Sequence, residues 1–372
     1  MKKLAVMLSV LLILLCFPFF VIADESQKLL QEEMTEELFD ITPDDAKELV
    51  EKLGIDEITP ETLLSLEPMA IVSLGIDYIK NFITQPIKTS AAVIAIVIFC
   101  AVADAFKPTL NSTADGVFSL VSSLCVSAVL VTATVECIRR TCDAMSGFSD
   151  FIMGYVPVFA SAVTVSGQAV SGGIYSSYML LVCQIISGVS SNILLPLLSM
   201  YLAVSIVSGI NPQLKINTVA DAFKACVTKI LGFSLTVFVS VMSLQTLVAT
   251  GSDNLAVRTG KYLIGNFVPV VGSAISEVFL SVQGYMKLMK TCIGWYGIVA
   301  AILIFLPVLL EAVVWRMAVC VAQIISHTLN ISAVNSTLDA VGSVFTMLIA
   351  FVLTFAMLLI VTTSIMLMTG MG

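Results

Sequence analysis

The sequence predicts an all-α, polytopic membrane protein with an internal duplication in its body and a small N-terminal helical head outside the cytoplasm. Three observations predict it. First, 58% of the 372 residues are apolar and only 12% are charged, against about 25% in an ordinary soluble domain, and the mean hydropathy is +1.03. A water-soluble fold of this length has too little interior to hide so much apolar surface, so much of it faces lipid. Second, charge is segregated: residues 24–84 hold 16 of the 26 acids and 4 of the 18 bases, a net of −12, while residues 85–372 net +2. Third, the body echoes itself. Tyr155-Val156-Pro157-Val158 returns 112 residues later as Phe267-Val268-Pro269-Val270, and Leu195-Pro196-Leu197-Leu198 returns 111 residues later as Leu306-Pro307-Val308-Leu309. Duplicated hydrophobic units with interrupted helices are a common way to build a pathway at a pseudo-symmetric interface.

Residues 1–23 read as a secretory signal: Lys2 and Lys3, an apolar run over residues 4–20, then Val21-Ile22-Ala23 as a small-residue cleavage pattern. An uncleaved anchor is the rival, and with either one residues 24–84 lie outside the cytoplasm. In that acidic head, Thr42-Pro43-Asp44-Asp45 and Thr59-Pro60-Glu61 each supply a capping hydroxyl, a proline for the first helical position and acids for the first turn. Gly54 closes the first of these helices. Leu29, Leu30, Met34, Leu38 and Phe39 form an apolar stripe at helical spacing, so the head is expected to dock on something.

Residues 85–138 follow as a transmembrane hairpin, with spans over 89–106 and 116–138 around Lys107-Pro108. Residues 139–250 form the first membrane repeat and residues 251–372 the second. Pro157, Pro196, Pro269 and Pro307 are the expected helix-break positions, because proline removes an intrahelical hydrogen bond and crowds the preceding turn. About ten hydrophobic segments follow the signal, of which six to eight are expected to cross, since a span needs about 20 residues. With the head outside, Lys107 falls inside and Arg139-Arg140 outside, against the positive-inside tendency. Re-entrant segments at Pro157 and Pro269 are one repair, and parallel and inverted repeats both remain open.

No nucleotide-binding G-x-x-x-x-G-K-[ST] loop, H-E-x-x-H or G-x-S-x-G motif is present. The chain is expected not to be an enzyme and to need no cofactor or metal. Energy for any driven task comes from a separate ATPase or an ion gradient. None of the nine cysteines falls in residues 24–84 and none is in C-x-x-C spacing, so they read as small packing residues.

Ionisable groups in apolar context carry what chemistry there is, because a charge at membrane depth costs about 2.5–3.5 kcal/mol and therefore faces water or a partner. Glu277 leads, with Ser273, Ser276 and Ser281 on the same segment; an interfacial helix with its polar face in the headgroups accounts for it equally well. Asp339, Glu311 and Arg316 are the other pathway or coupling candidates. Glu311 and Arg316, five residues apart, stand about 140° apart around a helix and are badly placed to pair with each other. His327, the single histidine, reads as hydrogen-bonded packing, and Glu136 beside Arg139 and Arg140 as a span end.

The order of these features resembles the stage III sporulation protein AE family of endospore-forming bacteria. The resemblance rests on the signal, the acidic head, and a body containing Val257-Arg258-Thr259-Gly260-Lys261-Tyr262, then Gly265-Asn266-Phe267-Val268-Pro269-Val270-Val271-Gly272 with Ser273 to Glu277 after it. It implies a multi-pass protein of the mother-cell-derived outer forespore membrane, within a channel or secretion-like complex that supports forespore development after engulfment. Its implied partners are other stage III sporulation membrane and ring-forming proteins, a secretion-type ATPase subunit, a forespore membrane protein across the intermembrane space, and the lipid bilayer, with no nucleic acid. No catalytic residue carries over. The rival functions are a stand-alone secondary transporter coupled through Glu277 or Asp339, and a scaffold that anchors rings and conducts nothing.

Overall fold

A computed structural model describes residues 36–55, 68–105, 112–189, 192–193, 195–210, 217–267, 272–329 and 331–369. The signal, the first part of the head, Thr59-Pro60-Glu61, Lys107-Pro108 and Pro269 lie outside the described residues. Among the described residues there is no strand. Among the described residues the principal helices are α1 Asp44–Lys52, α2 Pro68–Phe82, α3 Thr84–Ala105, α4 Ser112–Val165, α5 Ala169–Val189, α6 Leu195–Ile210, α7 Asn217–Phe267, α8 Gly272–Thr328 and α9 Ser332–Met368. Six are long and apolar enough to cross a membrane, with windows Thr84–Val102, Val121–Val165, Ala169–Ile186, Lys224–Thr259, Gln283–Thr328 and Val334–Met368.

Three of the helices are far longer than a single crossing needs. α4, α7 and α8 run for 54, 51 and 57 residues, about 75–85 Å at 1.5 Å per residue, against a hydrocarbon thickness of about 30 Å. Each therefore extends well beyond one hydrocarbon layer. By sequence a span ends at 138, before Arg139-Arg140, and separate apolar segments over 292–310 and 313–329 stand around Glu311, but α4 and α8 pass through both places unbroken. Pro157 and Pro307 likewise lie inside continuous helices. Pro196 is the second residue of α6, where a missing N–H costs nothing. Pro196 and Pro307, which pair in the sequence echo, thus sit in unlike places.

α8 and α9 form the central antiparallel hairpin, with Trp315 stacked on Phe345 at one level and Gly294 close to Leu367 at another. α4 lies against both. Its start meets the start of α9 through Ser123 and Thr337, 2.9 Å apart, while Phe148 packs on Phe305 at 4.5 Å, so α4 runs parallel to α9 and antiparallel to α8. Gly297 is needed where it stands, because a Cβ there would run into the ring of the fully buried Tyr155. The turn from α4 to α5 places Gly167 at φ +93, a conformation that glycine adopts without strain. α5 then returns along α4, where Ser149 meets Cys183 at 2.9 Å. α7 runs along α9, with Lys224 donating to Ser343 at 3.1 Å. α3 lies on α8 through Ser90, which donates to the Ala318 carbonyl.

The described part of the head docks on this body. Acids occupy the first turn of α1, Lys52 its last, and Gly54 at φ +71 closes it. Leu38, Ala46, Leu49, Val50 and Ile55 are buried. Thr42 does not cap α1 as its position suggests. Its hydroxyl donates to the Leu38 carbonyl at 2.8 Å and accepts from the Tyr296 hydroxyl at 2.7 Å, which ties the head to the middle of α8. Ile41 fills the space at Gly154, and Pro43 lies 3.8 Å from where a Cβ on Gly147 would sit. α2 continues along α8, with Gly75 facing Leu310.

Candidate functional site: charged clusters bracketing an apolar layer

Two clusters of buried charge stand on the central helices. The first surrounds Lys290 of α8, which is 3% exposed. Its ammonium donates to Gln168 Oε1 and to the Thr369 carbonyl, each at 2.7 Å, and to Thr369 Oγ1 at 3.3 Å. One cation so ties the α4–α5 turn to the residue that follows α9. Beside it, Asp253 of α7, also 3% exposed, accepts from the Val170 and Ser171 backbone N–H groups at 2.8 and 3.0 Å and from the Ser171 hydroxyl at 2.6 Å. It caps α5 from another helix, satisfying amides that have no intrahelical partner and placing a negative charge at the positive end of the helix dipole. Asp253→Ala is expected to destabilise the protein by about 1–2 kcal/mol, with Asp253→Asn losing less. Thermal unfolding in detergent checks this; a midpoint equal to the parent's would remove the cap from the account.

The second cluster joins α4 to α8. Glu311, 5% exposed, accepts from Arg140 Nη1 at 3.3 and 3.4 Å. Arg140 also donates to Glu136 at 3.3 Å, and Arg139 holds the same Glu136 at 2.9 and 3.2 Å. Two arginines and two glutamates thus form one chain, leading from the surface into the helix interface. Tyr78 of α2 lies beside it, and burial, with the Glu311 carboxylate adding, pushes the Tyr78 phenol above its usual range.

The spacing of the clusters is informative. Between Lys290 and Glu311, α8 has 20 residues without a charge, about 30 Å of helix. That is the thickness of a bilayer's hydrocarbon core. α7 carries no charge between Lys229 and Asp253, and α9 none after Asp339. The clusters bracket an apolar layer of membrane thickness.

Of the residues singled out in the sequence, Glu311 joins the second cluster, and its partner is Arg140, not Arg316. Arg316 donates to Thr346 Oγ1 at 3.2 Å and to Gln323 Oε1 at 3.0 Å. Gln323 in turn donates to Asp339 Oδ1 at 2.9 Å, which lies 3.3 Å from His327 Nε2. Arg316, His327 and Asp339 therefore meet through Gln323 in a third, more exposed network near the α8–α9 turn. Glu277 lies in α8, and its side chain falls outside the described residues. Sequence reasoning missed Arg140, Lys290, Asp253, Gln168 and Gln323. Lys290 had a signal, a charge at the edge of a 20-residue uncharged run, whereas the glutamines have none because nothing local distinguishes them from surface residues.

The model of the family described as stage III sporulation protein AE matches residues 57–370. A curated relative, "Stage III sporulation protein AE" of Bacillus subtilis (strain 168), is 25% identical over 267 residues. The match covers 70% of this chain and 66% of that relative, slightly under two thirds of its length. No solved structure matches the chain.

Proposed function

Because the chain belongs to the stage III sporulation protein AE family and so has a role in sporulation, we propose that it is an integral membrane subunit of the channel or secretion-like complex between mother cell and forespore. The observation that carries this is the extent of the family match: residues 57–370 take in all six of the described helices able to cross a membrane. The similarity therefore belongs to the membrane body itself. In this reading the protein sits in the mother-cell-derived outer forespore membrane. Its N-terminal head is reached from the intermembrane space, and its partners are other stage III sporulation proteins, ring-forming subunits and a forespore membrane protein. A separate secretion-type ATPase supplies energy, in keeping with a chain that has no phosphate-binding loop.

The test is deletion of the gene in the source organism, induction of sporulation, and microscopy with a membrane dye together with a late forespore reporter. The expected result is complete engulfment, collapsed forespores and a dark reporter, all restored by the intact gene. Normal, resistant spores would overturn the proposal and favour the stand-alone transporter, to be pursued by substrate uptake.

A further inference from the structure

We infer that the side of the bundle formed by α1 and the outer face of α4 fronts water at the depth where the opposite side, α5 and α7, fronts hydrocarbon, so that the protein contributes an acidic wall to an aqueous path. The inference rests on the conduit reading above for what that water belongs to.

Gly154, Gly147 and Tyr296, where the head docks, all fall inside the layer bracketed by the Lys290 and Glu311 clusters. α5 crosses the same depth, since Cys183 meets Ser149 and Tyr175 packs on Phe159. α7 does so too, because Phe238 meets Tyr178 and Asp253 meets Ser171. On that side the exposed residues include Leu181, Leu244, Leu247 and Val248, the last three 65–73% exposed, beside uncharged Gln184, Thr236 and Ser240, and α7 carries no charge between Lys229 and Asp253. On the head side, Asp143 and Asp150 of α4 are exposed at this depth, and α1 adds exposed Asp44, Asp45, Glu48 and Glu51. Both sides cannot face the same solvent. Leucines at this exposure fit lipid, while exposed carboxylates, even with Glu48 paired to Lys52 at 2.6 Å, are costly in hydrocarbon.

The head is not a loose appendage that could swing clear of the layer. Leu38, Thr42 and Val50 are 0–2% exposed, and Thr42 is hydrogen-bonded to Tyr296. Copies arranged with α1 inward and α7 outward would place these acids of α1 and α4 in water and the exposed leucines of α5 and α7 in lipid. An acidic lining raises the local concentration of cations and repels anions.

The test uses the full-length protein in native membranes from sporulating cells, opened by freeze and thaw so that a charged maleimide reaches both faces. Single cysteines are introduced by Glu48→Cys, Asp143→Cys, Asp150→Cys, Leu181→Cys and Leu247→Cys in a chain whose own cysteines are serine. Labelling at least tenfold faster at positions 48, 143 and 150 than at 181 and 247, with all five equal after denaturation, is the expected result. Equal labelling before denaturation overturns the inference, because this depth would then lie outside the bilayer on every side. Silence at 143 and 150 overturns it as well, because that face would then be covered. Should the cysteine-free chain fail to accumulate, the unaltered protein in the same membranes is treated with a water-soluble carbodiimide and a charged amine. Modification of Asp143 and Asp150, mapped by mass spectrometry, is expected, and its absence sinks the inference. The deletion phenotype is read separately, so a blocked sporulation with a covered face removes only this inference, and an open face with normal spores removes only the conduit reading.

Discussion

Arg140→Ala is expected to lower the unfolding midpoint of the purified protein, while Arg140→Met combined with Glu311→Leu recovers most of the loss. The Glu311 side chain is 6% exposed and the Arg140 side chain 50%. Removing the arginine leaves a buried carboxylate with no compensating charge. Breaking a fully buried pair costs about 3–5 kcal/mol, but water reaches the arginine here and screens the interaction, so the expected loss is about 1–3 kcal/mol. The paired apolar replacement removes both charges, leaves nothing to desolvate, and restores packing between α4 and α8. A thermal melt of the three chains in one detergent decides the matter. If the double variant is as unstable as Arg140→Ala, the pair does not act as a unit, and the passage of α4 and α8 through their charged positions needs another explanation.

Gly297→Ala is expected to destabilise the core by about 2 kcal/mol net. A Cβ at this position collides with the Tyr155 ring, and Tyr155 is fully buried in a stack with Phe151 and Phe159, at centroid distances of 5.4 and 5.5 Å. The tyrosine has nowhere to go. Overpacking of this kind costs up to about 3 kcal/mol, from which about 1 kcal/mol is returned because alanine is the better helix former. Tyr155→Leu in the same chain relieves the collision, so the two changes together should cost less than their sum, which a double-mutant cycle measures. Strict additivity would mean that α4 and α8 do not approach at this point, and the docking of the head, which uses the neighbouring Tyr296, would lose its support.

Both predictions concern the contact between α4 and α8, and that contact also fixes the depth of the proposed aqueous wall. Tyr296 holds Thr42 one position before Gly297, and Asp150 stands one position before Phe151. Loosening this interface is therefore expected to disturb the head and the acidic face together.

The helical class, the membrane body and the close of α1 at Gly54 were legible in the sequence because each follows from composition or from neighbours along the chain. An apolar content of 58% leaves no soluble option, and a glycine after a capped, charged turn ends a helix by its own backbone freedom. Glu136 beside Arg139 and Arg140 read as a span end for the same reason, since a local rule counts a charge as an exit from the membrane, and Glu311 read as a pathway or coupling candidate without a partner. Only the tertiary structure decided otherwise, because Arg140 and Glu311 are 171 residues apart and no local pattern encodes their meeting. Once paired they permit two helices of more than 50 residues to continue without a break. Thr42 followed the same logic, its capping position visible in the chain and its bond to Tyr296 set by a surface 254 residues away. Composition and capping are properties of the chain, whereas the partner of a buried charge is a property of the packing.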